Sequence, residues 1–228
     1  MYVDEYWSHS FILDLVRPEG VVYDIGVNDG GFARLVSGRC RRVIGYEPDP
    51  TWLHRLDLPA NVTFIPKAIA ANPGVLEFHV NKVRCSSLHY SEDGTKGTVS
   101  VEAVTLQNAL ALEPEGSIDL VKMDIEGEEV EVLATAADEQ LQRVVQLTVE
   151  FHDFLDSGSV AGIQRVIRRL QSLGFFAIRF SWRSYGDLLF INTRLVPIGL
   201  FQRWWLVLRF KYVRGLWRIF KRALHLKR

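Results

Sequence analysis

Early in the chain the sequence reads Val21-Val22-Tyr23-Asp24-Ile25-Gly26-Val27-Asn28-Asp29-Gly30-Gly31, an apolar run that passes directly into a glycine-rich turn. Buried parallel strands have continuous apolar runs of this kind. Glycine in the turn that follows lets the backbone approach a ligand closely, because it has no Cβ. The pattern predicts a strand, a ligand-binding turn and a helix in succession.

More apolar runs follow, with helical stretches between them. They occupy residues 42–47, 62–65, 118–123 and 144–150. This alternation predicts an α/β fold in which helices cover both faces of a parallel sheet. Segments 75–80 and 99–104 instead alternate apolar and polar residues, which predicts inserted antiparallel strands with one solvated face. A helix over 160–173 and strands over 175–180 and 188–192 complete an expected seven-stranded, mostly parallel sheet.

Composition favours one folded domain with an appendage. Hydrophobic residues make up 48% of the 228 positions and charged residues 24%, which is typical of a globular protein. Of the 27 Lys and Arg residues, 10 lie within 194–228, a segment that has no Asp or Glu. The preceding residues therefore hold the other 17 together with all 27 acidic residues. We predict an acidic domain over 1–193 and a basic helical tail over 194–228.

The cysteines and the first residues bear on the compartment. Cys40 and Cys85 are too few for a disulfide framework, and no metal-ligand spacing occurs between them. Asp4 and Glu5 stand where a signal peptide would have basic residues. These features predict a cytoplasmic protein.

The turn and a second acidic residue form the predicted cofactor site. The glycine spacing matches neither the dinucleotide fingerprint nor the phosphate-binding loop, so a ligand without a pyrophosphate fits better. Asp24 and the N–H groups of the turn suit an ammonium and a carboxylate, and Glu47 after the second strand suits ribose hydroxyls. S-adenosylmethionine carries all of these groups. The predicted cofactor-binding residues are Asp24, Gly26, Asn28, Gly30 and Glu47. Two alternatives stay open: the glycine-rich turn would then be only a tight strand-to-helix connection, and Glu47 only a helix cap.

Several strings occur in a fixed order along the chain. They are the turn itself, Tyr46-Glu47-Pro48, Ser86-Ser87-Leu88, Lys122-Met123-Asp124-Ile125-Glu126-Gly127-Glu128-Glu129 and Val149-Glu150-Phe151-His152. Over about residues 20 to 155 the chain resembles the FkbM-type methyltransferase family. The resemblance implies a class I Rossmann-like fold, adenosylmethionine as methyl donor, and O-methylation of sugars or other small hydroxylated metabolites. Val27, where the family usually has a small residue, and the basic tail depart from the family pattern.

Four side chains at or just after strand ends are the catalytic candidates, because ligands of open parallel sheets bind beyond the carboxyl ends of the strands. They are Asp124, Glu126, Glu150 and His152. We expect His152 to be the general base, because an ordinary histidine pKa of about 6.5 leaves it largely neutral. Asp124 and Glu126 would orient the acceptor hydroxyl or, with Glu150, hold a divalent metal such as Mg²⁺.

Structural roles for the same residues stay open. The acids from Glu126 to Glu129 would also suit the first turn of a helix. Glu150 and His152 alternate along a strand and would also form a hydrogen-bonded pair, and Lys122 would pair with one of the acids. No complete metal-ligand set is evident, so no metal residue is assigned.

If the tail forms one helix from Gln202 onward, most of its basic residues, including Arg203, lie opposite an apolar side that includes Trp205 and Leu206. Charges recur well before the roughly 20 apolar residues of a membrane-spanning helix. The pattern predicts that residues 203–228 lie on an anionic membrane, on its inner face. Docking on the acidic body or at a dimer interface is the alternative. No nucleic-acid partner is expected, because phosphates would not use the apolar side.

The predicted function is methyl transfer to a small-molecule or glycan acceptor. Two alternatives stay open. An NAD-dependent oxidoreductase would also use Glu47, although the third glycine of its turn is missing. A non-catalytic adenosylmethionine-binding or membrane adaptor protein would keep the fold without the chemistry.

Overall fold

The computed structural model describes residues 3–53, 55–81, 95–152, 159–181 and 184–208. The strands are β1 (Asp4–Tyr6), β2 (His9–Phe11), β3 (Val21–Ile25), β4 (Arg42–Tyr46), β5 (Val62–Ile65), β6 (Ala68–Ile69), β7 (Gly74–Asn81), β8 (Thr95–Val104), β9 (Leu120–Met123), β10 (Gln146–Val149), β11 (Phe175–Arg179) and β12 (Leu188–Asn192). The helices are α1 (Gly31–Ser37), α2 (Pro50–Leu53), α3 (Leu106–Leu110), α4 (Glu129–Thr135), α5 (Asp138–Gln142), α6 (Ser159–Ser172) and α7 (Leu200–Val207). The Ser86-Ser87-Leu88 string and the tail beyond residue 208 lie outside the described residues.

The main sheet has seven strands in the order β11-β12-β10-β9-β3-β4-β5. Strands β10, β9, β3, β4 and β5 pair in parallel with their neighbours in this series, and β12 is antiparallel to both of its neighbours. The mostly parallel seven-stranded sheet that we predicted is therefore confirmed. The chain leaves β3 toward β4 and β5, then returns to β9 on the other side of β3. Strand order reverses at this point, and open α/β sheets bind their ligands there.

Helices cover both faces of the sheet, as the continuous apolar strands predict. Tyr23 and Ile25 of β3 lie in a core with residues of α3, α4, α5 and α6. Val22, which points to the other face, packs in a second core with Phe11 and with Phe32 of α1. Burial on both faces explains why β3 has no polar alternation, Asp24 excepted.

A second, three-stranded sheet has the order β6-β8-β7. β7 and β8 are antiparallel, which confirms the strands predicted from the alternating segments 75–80 and 99–104. The short strand β6 adds to this sheet by pairing in parallel with β8.

An N-terminal hairpin, β1 with β2, was not predicted from the sequence. All three residues of β2 are buried, and side-chain hydrogen bonds join this segment to the main sheet. The Ile12 N–H donates to Gln146 Oε1 at 2.8 Å, and Gln146 Nε2 donates to the Ile12 carbonyl at 2.9 Å. The Ser10 hydroxyl donates to Asp187 Oδ2 at 2.7 Å. These bonds bring His9 to the carboxyl edge of the sheet.

Helix α7 packs on the body through one side. Leu206 lies in a third core with Ile178, Leu189 and Ile191. Arg203 contacts the body too: its Nε donates to the Ile198 carbonyl at 3.0 Å. The predicted placement of Arg203 opposite Leu206 is therefore wrong, because residues three positions apart on an α-helix lie on the same side.

Within the described ranges, no helix has both the length and the apolar character required to cross a bilayer.

Candidate active site

The turn after β3 lies between the ends of β4 and β9. Gly26 has a φ of +87°, and a Cβ at this position would lie 1.8 Å from the carbonyl oxygen of Asp124. Only glycine fits such a conformation and such a close approach. Five N–H groups of the turn already donate to protein acceptors: those of Gly26, Val27, Asn28, Gly30 and Gly31. The turn therefore supplies fewer free backbone donors than the sequence suggested.

Glu47 connects the turn to the second strand. Its Oε2 accepts a hydrogen bond from the Asn28 N–H at 2.9 Å, and its Oε1 accepts one from the Asp49 N–H at the same distance. Burial raises the pKa of Glu47 to about 7. Each carboxylate oxygen keeps a second lone pair, so both can still accept a ligand hydroxyl.

Asp24 and Lys122 form a buried ion pair beneath the turn. They are neighbours across β3 and β9, and Lys122 Nζ lies 3.2 Å from Asp24 Oδ1. Lys122 Nζ also donates to the Gly26 carbonyl at 2.5 Å. Burial alone would lower the pKa of Lys122, but the carboxylates of Asp24 and Asp124 raise it above its ordinary value. Asp24 has no exposed surface, so it holds the turn through Lys122 and does not itself face the crevice.

The loop after β9 is held by a group of residues that we call the paired cluster, Glu126, Glu129 and His152. The buried Glu129 carboxylate accepts hydrogen bonds from the N–H groups of Ile125 and Gly127 at 3.0 and 3.1 Å. His152 Nδ1 lies 3.0 Å from Glu129 Oε1, and its Nε2 lies 3.1 Å from Glu126 Oε2. Glu126 has a φ of +55°, unusual for a residue other than glycine. Glu129 therefore fixes the loop, beyond supplying charge to the first turn of α4.

The paired cluster changes the chemistry of His152. Burial alone would lower its pKa, but Glu126 and Glu129 together raise it to about 11. The side chain is consequently an imidazolium at neutral pH, and an imidazolium has no lone pair with which to accept a proton. The raised pKa disfavours the predicted role of His152 as a neutral general base, a role that stays a prediction.

A second group of side chains, which we call the open corner, consists of His9, Asp124 and Glu150. His9 Nε2 lies 3.5 Å from Asp124 Oδ2 and 3.8 Å from Glu150 Oε2. These distances are at or beyond the limit of a hydrogen bond, unlike those of the paired cluster. Within the described part of the chain, Asp124 Oδ1 is a buried oxygen without a hydrogen-bond partner.

His9 is the residue of this site that we did not find in the sequence. The usable signal was in β10, where Gln146 and Thr148 are polar residues in a buried strand and require partners. Gln146 binds the backbone of Ile12, and Thr148 Oγ1 lies 3.5 Å from His9 Nδ1. Burial lowers the pKa of His9, so this histidine is neutral where His152 is charged.

The two carboxylates of the open corner differ in protonation. Burial and the neighbouring charge of Asp124 raise the pKa of Glu150 to about 7. Burial acts on Asp124 as well, but Lys122, His9 and His152 hold its pKa well below the usual range. These shifts favour an ionised Asp124 and a Glu150 that exchanges a proton near neutral pH. Environments that separate two pKa values in this way are typical of acid–base sites.

Two overlapping sets of three side chains among the described residues have ligand atoms within 4.8 Å of one another and so could hold a metal ion. They are the open corner and the set Asp124, Glu129 and His152. In the open corner, His9 is the third possible metal ligand beside Asp124 and Glu150, whereas the sequence predicted Glu126 in that role. In the second set, Glu129 and His152 are already bonded to each other.

Three features define a Rossmann-like nucleotide-binding fold of the class I methyltransferase type. They are the reversal of strand order beside β3, the glycine-rich turn, and the acidic residues at the carboxyl edge of the sheet. The sequence-family model for the methyltransferase FkbM domain matches residues 24–177 of this chain. The chain belongs to the FkbM methyltransferase family.

Two curated relatives and one solved structure are similar to the chain. The hexuronic acid methyltransferase AglP of Haloferax volcanii is 25% identical over 154 residues, which are 65% of this chain and 63% of that protein. The 2-O-methyltransferase NoeI of Sinorhizobium fredii is 28% identical over 213 residues, which are 82% of this chain and 86% of that protein. The crystal structure of a methyltransferase FkbM from Methylobacillus flagellatus covers 77% of this chain and 44% of its own, with 15% identity and a TM-score of 0.49.

Proposed function

We propose that the protein transfers a methyl group from S-adenosylmethionine to a hydroxyl group of a sugar, with a uronic acid or another sugar of a glycan as acceptor. Membership of the FkbM family supports methyl transfer over NAD-dependent oxidation and over a purely adaptor role. The two relatives, a hexuronic acid methyltransferase and a 2-O-methyltransferase, support a sugar oxygen as the acceptor atom.

The residues around the turn fit the adenosine end of the donor. Glu47 has lone pairs for the ribose hydroxyls, and Gly26 and Gly30, both with positive φ, bring the backbone close to the crevice. The exposed side chain of Asn28 is available to the methionine end. Asp24 contributes indirectly, by fixing the turn through Lys122. When bound, the donor supplies an electrophilic methyl group on a sulfonium.

The open corner would receive the acceptor hydroxyl. Glu150, with a pKa of about 7, is ionised in a large fraction of molecules at neutral pH and can accept the hydroxyl proton. Asp124 Oδ2, which lies 3.5 Å from His9 Nε2, would orient the same hydroxyl. As the new carbon–oxygen bond formed, the proton would pass to Glu150, and the electron pair of the broken carbon–sulfur bond would stay on the sulfur of the donor. Glu126 and His152 would act on this site only by holding the loop.

One observation carries this assignment: the partly exposed Glu150 carboxylate lies together with Asp124 and His9 at the ligand-binding edge of the sheet, where burial and the Asp124 charge raise its pKa to about 7. We expect Glu150→Gln to lower turnover by about 10² to 10⁴, the usual contribution of a general base, with donor affinity retained. The matched control is Glu131→Gln on the exposed side of α4, which should behave as wild type. The assay uses labelled adenosylmethionine with uronic-acid glycans, and donor affinity is measured by calorimetry. Wild-type turnover in Glu150→Gln would contradict the assignment.

A divalent metal in the open corner stays a prediction. His9, Asp124 and Glu150 offer the ligand atoms, and a bound Mg²⁺ would lower the pKa of a coordinated hydroxyl. Exhaustive chelation should then abolish turnover, and added Mg²⁺ should restore it. Full activity after chelation would remove the metal from the proposal.

The place of the reaction is the last part of the proposal. Ten basic residues and no acidic ones within 194–228 favour a location at the periphery of an anionic membrane, on its cytoplasmic side. Acceptors on lipid carriers would be found there.

A further inference from the structure

Helix α7 has an outward side made of large apolar residues. The exposed fractions are 83% for Leu200, 80% for Phe201, 70% for Trp204 and 53% for Trp205. At 3.6 residues per turn these four positions fall within an arc of roughly 140°. Monomeric proteins rarely expose large apolar patches of this kind unless the patch binds something. We call these four residues the outward face.

The other side of the helix is attached to the body. Leu206 is 2% exposed and packs against Ile178, Leu189 and Ile191. The Arg203 guanidinium lies 5.5 Å from the centre of the Phe176 ring, and its Nε donates to the Ile198 carbonyl. The orientation of α7 is therefore set by contacts with the main sheet. Because Leu206 and Arg203 fix one side of α7 against the protein, the residues of the outward face point away from it.

The charge of the surrounding sequence indicates what the outward face binds. Residues 209–228 continue the chain from α7, and they contain eight Lys and Arg residues but no Asp or Glu. A second copy of this chain would carry the same basic segment after its own α7. An anionic bilayer instead offers apolar depth for Trp, Phe and Leu together with negative headgroups for the basic residues.

We propose that the outward face of α7 inserts into the headgroup region of an anionic membrane while Leu206 and Arg203 hold the helix on the catalytic domain. The membrane contact is then rigidly coupled to the fold and does not depend on a loose tether. The inference rests on the proposed function only for its consequence, that lipid-linked sugars would be the acceptors within reach.

Vesicle sedimentation tests the proposal on the full chain. The probes are phosphatidylcholine vesicles with and without phosphatidylglycerol, at low and high salt. We expect binding only to the anionic vesicles, weakened by salt because the headgroup attraction is screened. The double variant Phe201→Ser/Trp204→Ser should bind at least about tenfold more weakly, since it removes two inserted aromatic side chains. The control Val75→Ser/Leu112→Ser removes exposed apolar residues elsewhere and should bind as wild type.

The proposal would be overturned by no binding of the full chain to anionic vesicles, by wild-type binding of Phe201→Ser/Trp204→Ser, or by an equal loss of binding in the control. A dimer in analytical ultracentrifugation that the double variant dissociates would assign the outward face to a second copy instead. Sedimentation uses no methyl donor, and it should give the wild-type result with Glu150→Gln. Failure of methyl transfer and failure of membrane docking are thereby separated.

Discussion

The paired cluster and the open corner lie on two sides of Asp124, and they differ in how closely their charges are matched. In the paired cluster, both nitrogens of His152 lie 3.0 to 3.1 Å from carboxylate oxygens. In the open corner, His9 Nε2 is 3.5 and 3.8 Å from its two acids. The short contacts of His152 hold the loop after β9 in one conformation. The longer contacts of His9 leave the carboxylates of the open corner available to a ligand. His152 and His9 therefore have different roles, although both lie at the same edge of the sheet.

The same difference appears in the direction of the pKa shifts. Carboxylates on both sides of His152 outweigh its burial and raise its pKa, whereas burial dominates at His9 and lowers its pKa. Glu150 has too little compensating positive charge, so burial and Asp124 raise its pKa to about 7. Acid–base chemistry at neutral pH is thus expected in the open corner and not in the paired cluster.

The largest effect on stability should come from breaking the paired cluster. His152→Gln leaves Glu129 buried without its cation, which costs about 3 to 5 kcal/mol of unfolding free energy. The folded pKa of His152 is raised, so its stabilising contribution is complete below about pH 6.5, the unfolded value, and declines as pH rises toward about 11. Urea unfolding at pH 7 measures the loss. A change below about 1 kcal/mol would mean that the cluster does not hold the loop.

The pH dependence of kcat/KM should sharpen the comparison. With Glu150 as base, kcat/KM should fall about tenfold per pH unit below pH 7 and level off above it, since only the ionised carboxylate accepts a proton. Steady-state kinetics between pH 5 and 9 with the wild-type chain, at about half-unit steps, tests this. A profile that declined above pH 7 would point to an essential acid in its place.

The smallest expected effect is a gain in stability. Glu150→Gln should raise the free energy of unfolding at pH 8, because it removes a carboxylate that is costly to ionise in the folded state. The folded pKa of this acid is raised, so the wild-type penalty develops between about pH 4.5 and pH 7, and the gain should vanish at pH 4. Thermal unfolding of the two proteins at pH 4 and pH 8 gives the comparison. Destabilisation at pH 8 would show a structural role for Glu150.

Much of this fold could be predicted from the sequence, because apolar runs and alternation report burial directly. β3, β5 and β12 begin and end at the predicted residues, and the helix predicted over 160–173 is α6. The hairpin β1–β2 escaped prediction because its strands are three residues long and carry no periodicity. Its position depends on side-chain hydrogen bonds such as that of Ser10 with Asp187, residues far apart in sequence.

The candidate site divides in the same way. Asp124, Glu126, Glu150 and His152 do come together at the carboxyl edge, as strand ends predict, and Glu47 does bond to the turn. Their protonation could not be predicted, because it depends on distances set by tertiary packing. The burial of Asp24 behind Lys122 and the positive φ of Glu126 belong to the same class of information.

We infer that His152 is a charged residue that holds the loop after β9 and that His9 is neutral. Heteronuclear NMR of labelled histidine side chains measures both directly, with His152→Gln and His9→Gln used to assign the signals. We predict that the His152 imidazole stays protonated from pH 5 to beyond pH 9 and that the His9 imidazole has a pKa below its ordinary value. A His152 signal that titrates near the ordinary value of about 6.5 would contradict the account.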